Sequence, residues 1–227
     1  MSATRIRRVT RGRSSTDDRR QVELQLIKDA AHYREVVEHG ILTAQTSIWI
    51  ATANVKDAHI EAPLGTRARA RGRYTSLIDW LIDKAKAGVE VRILHAGVPS
   101  RALQNKQRWS DARNLHRCCP RVHLKMVAVD GRFLYLGSAN LTGAGLGAKS
   151  DRKRNFEVGM VTDDALLLDE LQGTFDAIWS GKHCAACGMR SQCPKPLDGI
   201  VDQRDLRRER RAEAERTLRA RKLTTTR

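Results

Sequence analysis

Between His123 and Asn140 the chain reads His123-Leu124-Lys125, then Asp130 five residues on, then Gly137-Ser138-Ala139-Asn140. These residue types suit the making and breaking of phosphodiester bonds. A neutral imidazole can attack phosphorus and an ammonium can hold its non-bridging oxygens. A hydroxyl and an amide two residues apart add hydrogen bonds to the same group. The spacing agrees with the chemistry. In extended chain His123 and Lys125 project to one side. Asp130-Gly131 is a hairpin signal between two apolar runs, Val122–Val129 and Phe133–Leu136. A hairpin there returns Ser138 and Asn140, themselves two apart, towards His123 and Lys125.

The whole pattern, H-x-K-x4-D-x6-G-S-x-N, resembles the phospholipase D superfamily, the HKD phosphodiesterases, with every fixed position present. The resemblance covers roughly residues 22–181. It implies an α/β fold, a phospholipase D-like domain with a mixed β-sheet flanked by helices on both faces. It also implies a catalytic set of His123, Lys125, Asp130, Ser138 and Asn140, with Glu157 where the family has a carboxylate that orients the histidine. Asp130 has two readings: a supporting role in the site, or simply the Asp-Gly of a tight turn.

Family members need two such motifs, one histidine attacking phosphorus and the other protonating the leaving oxygen. The remaining histidines are His32, His39, His59, His95, His116 and His183, and none has a lysine two residues on. His95 ends the apolar run Val89–Leu94 and reads better as a packing or strand-end histidine. A single motif therefore implies a homodimer whose two-fold axis passes through one shared active site, since a two-fold interface delivers the same patch twice. One His123 would form a phosphohistidine while that of the second copy serves as general acid and then as base for water. The two would titrate as a coupled pair. Lys125 and Asn140 of both copies would neutralise charge on phosphorus, with Ser138 in support, and catalysis needs no cofactor or metal.

Formal net charge is +16 and the sequence pI about 10.3, which calls for an anionic partner. Residues 1–20 hold seven arginines against Asp17 and Asp18, and residues 201–227 hold ten basic residues against five acidic ones. Arg67, Arg69, Arg71 and Arg73 fall at every second position, while Lys149, Arg152, Lys153 and Arg154 crowd the segment before Glu157. That second group lies between two pieces of the site and is the better candidate for phosphate contact. A solvated surface accounts for the terminal runs equally well. Aromatics make up only 4% of the chain, so readout by stacking on bases is not expected, and affinity should be electrostatic and salt-dependent. The partner expected is nucleic acid and not a membrane: no apolar stretch is of spanning length and no secretory h-region follows Arg7-Arg8, which points to a cytoplasmic protein.

The chain divides into four regions: a flexible basic arm (1–20), the catalytic domain (21–181), a cysteine-rich segment (182–199) and a charged tail (200–227). Within the domain, Val22–Ile27 reads as a short strand and Asp29 as the cap of a helix to about Ala44. Ser47–Asn54 reads as a buried strand, Tyr74–Ala87 as an amphipathic helix and Val89–His95 as the next strand. Residues 101–117 read as a polar helix. The motif hairpin, a strand Phe156–Val161 and a helix capped by Asp163 or Asp164 and ending at Trp179 complete it. Alternating strands and helices indicate the α/β class.

Cys184, Cys187 and Cys193 stand at a spacing that favours metal over disulfide in a cytosolic chain. Cys118, Cys119 or His183 is the candidate fourth ligand, for a structural zinc or an iron–sulfur cluster; spare reduced thiols are the alternative.

The leading functional reading is a metal-independent endonuclease acting on DNA, with RNA open. A phospholipid phosphodiesterase shares the motif, and a non-catalytic nucleic-acid-binding subunit is the third reading. The basic arms would suit attachment to a larger defence, restriction or DNA-processing complex.

Overall fold

The computed structural model describes residues 20–61, 67–193 and 195–199, with the side chains of Ala68 and Arg69 excepted. The basic arm (Arg20 excepted) and the charged tail expected from the sequence lie outside the described residues.

One seven-stranded sheet organises the chain. Its strands are β1 (Gln25–Lys28), β2 (Ser47–Thr52), β5 (Glu90–His95), β6 (His116–Cys118), β7 (Met126–Val129), β8 (Phe133–Gly137) and β9 (Val158–Thr162), in the spatial order β1-β9-β8-β7-β2-β5-β6. β2, β5 and β6 run parallel; every other neighbouring pair is antiparallel. A small separate pair, β3 (His59–Glu61) and β4 (Tyr74–Ser76), stands outside it. The helices are α1 (Arg67–Ala70), α2 (Leu77–Lys86), α3 (Arg101–Gln104), α4 (Gln107–Asp111) and α5 (Ala165–Trp179).

Period-two alternation divides the core. Ile48 and Ile50, Val91 and Ile93, and Val127 and Val129 point to one face, where α2 buries Leu77, Ile78 and Leu81 against them. Ala51, Leu94, Met126, Ala128 and Leu134 point to the other, where α5 brings Leu168, Phe175 and Trp179. The sheet is thus mixed and covered by helices on both faces, as the resemblance implied. Both long helices have local start signals: Ser76 Oγ accepts the Asp79 N–H at 3.1 Å, and an Asp164 carboxylate oxygen accepts that of Leu167 at 2.8 Å.

Three stretches depart from the sequence reading. Asp29 does not cap a helix: its φ is +46° and its carboxylate accepts the Glu157 N–H at 2.9 Å. Beyond it the chain forms a π-helical turn, Tyr33–Glu38, and a 3-10 turn, Ile41–Thr43, in place of one helix to Ala44. The start of the expected helix at Tyr74 is strand β4. Residues 101–117 form two short helices and then β6, an edge strand of three residues whose pairing to β5 has no local signature.

Candidate active site

The motif residues meet at one end of the sheet. Ala51 pairs with Met126, Met126 with Leu136, Gly137 with Gly159, and Val158 with Lys28. The residues just beyond these pairs are Lys125, Ser138 and Glu157, with Asn140 next to the end of β2. This is also the carboxyl end of the parallel strands β2, β5 and β6, where loops open outwards. His123 and Lys125 lie in the extended approach to β7, one step before the strand itself; Gly137 N–H closes on Lys125 O at 3.2 Å. His123 is exposed. The Lys125 ammonium stands 3.3 Å from its Nδ1 and 3.2 Å from its Nε2, and donates to the His123 carbonyl at 3.0 Å. A nucleophilic nitrogen and a cation for the oxygens of one phosphate are therefore side by side.

Asn140 is oriented by β2. Its Oδ1 accepts the N–H groups of Ala53 and Asn54, both at 3.1 Å, and the Thr52 hydroxyl at 3.3 Å. Three donors converging on one atom fix which way the amide faces, and they leave its NH2 as the group available to a substrate oxygen. Ser138 donates its hydroxyl to a Glu157 carboxylate oxygen and receives the Val158 N–H at 3.1 Å. The other Glu157 oxygen accepts from Asn155 Nδ2 at 2.9 Å. Glu157 thus engages Ser138 and Asn155 within one chain; the His123 contact that the family resemblance implied is not among its hydrogen bonds.

Two residues that pattern reading passed over hold this arrangement. The hydroxyl of Tyr135 accepts the Ala139 N–H at 3.1 Å, and Ala139 is the residue between Ser138 and Asn140. The ring occupies space that only glycines leave: a Cβ on Gly159 would stand 2.3 Å from Tyr135 Cε2, and one on Gly137 would stand 2.4 Å from its hydroxyl. Burial pushes the Tyr135 hydroxyl up to about 12, so it stays protonated. His32, fully buried, packs edge-on against Tyr135 at 5.5 Å and has its Nδ1 3.0 Å from the Asp29 carbonyl. Burial lowers its pKa, and a neutral ring is what an apolar setting favours. Nothing in their spacing marks Tyr135 or His32 as site residues; the glycines at 137 and 159 are the one clue.

Asp130 belongs to the opposite end, about 15 Å of strand from Lys125. Its carboxylate accepts the N–H groups of Gln45, Thr46 and Ser47, each at 2.8 Å, and the Thr46 hydroxyl at 2.9 Å. It ties the β7–β8 turn to the start of β2, and the catalytic reading of Asp130 is corrected to a structural one. His95 is buried at the end of β5 with Nδ1 2.9 Å from the Gly97 carbonyl, and it packs against Trp109 and His116. It is the packing histidine that its position suggested.

Of the basic groups, Lys149, Arg152 and Lys153 are exposed and form no ion pair among the described residues, whereas Arg154 pairs with Asp151. Their segment joins Asn140 to Glu157, next to the site. Arg67, Arg71 and Arg73 are exposed between β3 and β4, but α1 turns Arg67–Ala70 into a helical step, so the alternation does not become one row. The side chain of Arg69 lies outside the described residues. The chain leaving for β3 starts beside the site, since Val55 bridges to Leu141 and Lys56 N–H reaches Leu141 O at 2.9 Å.

Of the thiols, Cys119, Cys184, Cys187 and Cys193 line one small cavity with Arg121, Arg190 and Leu197. Cys118 does not line that cavity, its Sγ lying 3.4 Å from the Ala96 carbonyl, and His183 lines an adjoining one with Cys119, Cys184 and Cys187. No three metal-capable side chains stand at coordination spacing among the described residues. No helix there is long and apolar enough to cross a membrane.

No curated protein matches the sequence significantly. Solved structures with similar folds include NucT from Helicobacter pylori, 17% identical, covering 69% of this chain and 94% of that one at a TM-score of 0.42. Nuc from Salmonella typhimurium, described as a phospholipase D family member, is 18% identical and covers 70% and 95% at 0.45. Phosphatidylserine synthase from Haemophilus influenzae is 17% identical and covers 86% and 47% at 0.41. A family model described as "Cardiolipin synthase, PLD-like domain" matches residues 37–179, which takes in every motif residue from His123 to Glu157. With that match over more than half its length, and with His123, Lys125, Ser138 and Asn140 gathered at one end of the sheet, the chain belongs to the phospholipase D-like phosphodiesterase family.

Proposed function

We propose that the chain is a metal-independent nuclease, acting on DNA in preference to lipid, through a phosphohistidine in a site shared by two copies. The observation that carries the nucleic-acid reading is the setting of His123 and Lys125. His123 is exposed with Lys125 half-buried beside it, and the segment between Asn140 and Glu157 adds three exposed cations, Lys149, Arg152 and Lys153, with no carboxylate partner among the described residues. A polyanion held along that segment would bring one phosphodiester to His123, with affinity dominated by backbone charge.

In the reaction a ring nitrogen of one His123 forms the P–N bond as the bond to the leaving oxygen breaks. The protonated His123 of the second copy gives its proton to that oxygen. Water, deprotonated by the same imidazole, then attacks phosphorus and releases the first histidine. Lys125 and the Asn140 NH2 stabilise the charge on the non-bridging oxygens. Histidine and lysine supply the nucleophile and the charge stabilisation directly, which is why the proposal asks nothing of a metal.

An exposed apolar stripe supports the shared site. Leu24 and Leu26 on the β1 side, with Val158 and Met160 on β9, share the sheet face that α5 leaves uncovered, and Phe156 beside them is 96% exposed. This stripe runs out from Glu157, so a second copy seated on it would bring two sites together.

The deciding experiment is cleavage of single- and double-stranded DNA and RNA in EDTA, wild type against His123→Ala, with phosphatidyl substrates in a parallel arm. Cutting of DNA by wild type alone upholds the reading. Turnover of phosphatidyl substrate alone replaces it with the lipid phosphodiesterase, and DNA binding without any turnover replaces it with the binding subunit.

A further inference from the structure

The segment after α5 has almost nothing regular to hold it. Among its described residues, 181–193 and 195–199, it contains one 3-10 turn, Arg190–Gln192, and otherwise turns and irregular chain. Its Arg190–Asp198 ion pair, at 2.7 Å, joins two points of the segment itself. Small irregular segments of this kind usually need a covalent or metal staple, because they bury too little apolar surface to offset the entropy of ordering them. The thiols that line its cavity come from two places: Cys184, Cys187 and Cys193 from the segment itself, and Cys119 from the turn after β6, 65 residues before Cys184.

We propose that Cys119, Cys184, Cys187 and Cys193 form a four-thiolate site for a zinc(II) ion that clips the 182–199 segment to the catalytic domain. Three features argue for these four ligands and this charge type. Cys119, in the turn after β6, lines the cavity, whereas Cys118 does not and has its Sγ 3.4 Å from the Ala96 carbonyl. N–H donors already aim at the sulfurs, Leu197 N–H at Cys184 Sγ (3.4 Å) and the Arg121 guanidinium at Cys187 Sγ (3.7 Å). Such N–H···S contacts are what steady thiolates around a metal. A zinc ion with four thiolates carries net negative charge, and Arg121 lines the same cavity to offset part of it; Arg190, also lining it, is paired with Asp198.

On binding, each thiol gives up its proton to solvent and forms one Zn–S bond of about 2.3 Å, with no change of oxidation state. Since the four sulfurs stand wider than coordination spacing, binding draws them inward by side-chain rotation about a cavity that is already theirs. The ion would be structural: closed coordination leaves no open position, and His123 does not line the cavity.

The test is metal content of the full-length protein purified without chelator. Wild type should carry about one zinc per chain, Cys118→Ser should keep it, and Cys119→Ser and Cys187→Ser should each lose most of it. As a check that does not depend on the folding of variants, cobalt(II) added to zinc-stripped wild type should give the visible and near-ultraviolet bands of tetrahedral thiolate coordination. Wild type without zinc and without those bands overturns the site. So does zinc retained in full by Cys119→Ser, and iron with inorganic sulfide on the same cysteines would overturn the single-ion assignment.

Discussion

The Tyr135 hydroxyl accepts the Ala139 N–H at 3.1 Å, so a buried aromatic of β8 holds the peptide that separates Ser138 from Asn140. Tyr135→Phe leaves that N–H buried without a partner, a loss of about 1–3 kcal/mol. Turnover should fall with it, because Ser138 and Asn140 lose a common anchor. Gly159→Ala should be worse, since the new Cβ would stand 2.3 Å from Cε2 of a Tyr135 ring that is itself buried. Denaturant unfolding and kcat measured on both variants check this; a stable Gly159→Ala of normal activity would refute the account of Tyr135.

Asn140 can be dissected by its two ends. Asn140→Ala removes the acceptor for Ala53, Asn54 and Thr52 as well as the NH2, and should lose both stability and activity. Asn140→Asp keeps the acceptor but replaces the NH2 by negative charge. It should unfold much closer to wild type than Asn140→Ala, while turnover falls by roughly 100-fold or more, the scale of losing one oxyanion donor. Paired unfolding and single-turnover measurements separate the two effects.

Asp130→Ala should damage the fold and spare the chemistry. Burial alone would raise the Asp130 carboxyl, but the N–H groups of Ser47, Thr46 and Gln45 outweigh it and hold its pKa below the usual range. The carboxylate therefore stabilises the fold above the unfolded carboxyl value and loses that contribution as pH falls through the depressed one. Removing it should lower stability by about 2–3 kcal/mol, with kcat per folded molecule near wild type at low temperature.

A second acid-sensitive element lies at the β6 edge of the sheet. Burial, and next the neighbouring His95, press the His116 imidazole down to about 4, and its ring stacks on Trp109 at 3.9 Å. Because the folded ring resists protonation, stability is complete above about pH 6.5 and is lost as pH falls from there towards 4. The loss should reach about 2 kcal/mol, allowing for partial solvent access to the ring. In His116→Phe the slope of stability between pH 6.5 and 4 should flatten; an unchanged slope would point to other groups.

Replacing Lys149, Arg152 and Lys153 together by serine should weaken DNA binding equally across sequences. The slope of log K against log salt should flatten by up to about 3, roughly 0.9 for each phosphate no longer neutralised. Filter binding between low and moderate salt measures it, and an unchanged slope would mean that DNA runs elsewhere.

What could be read from the sequence was whatever is written locally. Asp130-Gly131 announces the β7–β8 turn, and both residues take positive φ there, +52° and +65°. Asp164 announces α5 by side-chain capping. Long-range pairings left no such mark. Asp29 has the composition of a cap, yet its carboxylate is claimed by Glu157, 128 residues away. Asp130 has the motif position of a catalytic group, yet its oxygens are claimed by the start of β2. Glu157, read as the partner of His123, is held by Ser138 and Asn155. A carboxylate goes to whichever donors the fold brings near, and those are not encoded beside it.

The motif residues differ in how deeply they are woven into the fold, and that difference bears on how such a protein changes by drift. Asn140 is a staple between β2 and the motif loop, so its loss is felt by every molecule whether or not substrate is present. The side-chain hydrogen bonds of His123 and Lys125 are to each other and to the His123 carbonyl. A lineage released from selection for chemistry would then shed His123 and Lys125 first and keep Gly137, Tyr135, Asn140 and Gly159 as a fossil. In a divergent copy, therefore, a surviving Gly-Ser-x-Asn would testify only that the domain still folds, whereas a surviving His-x-Lys would testify that it still works.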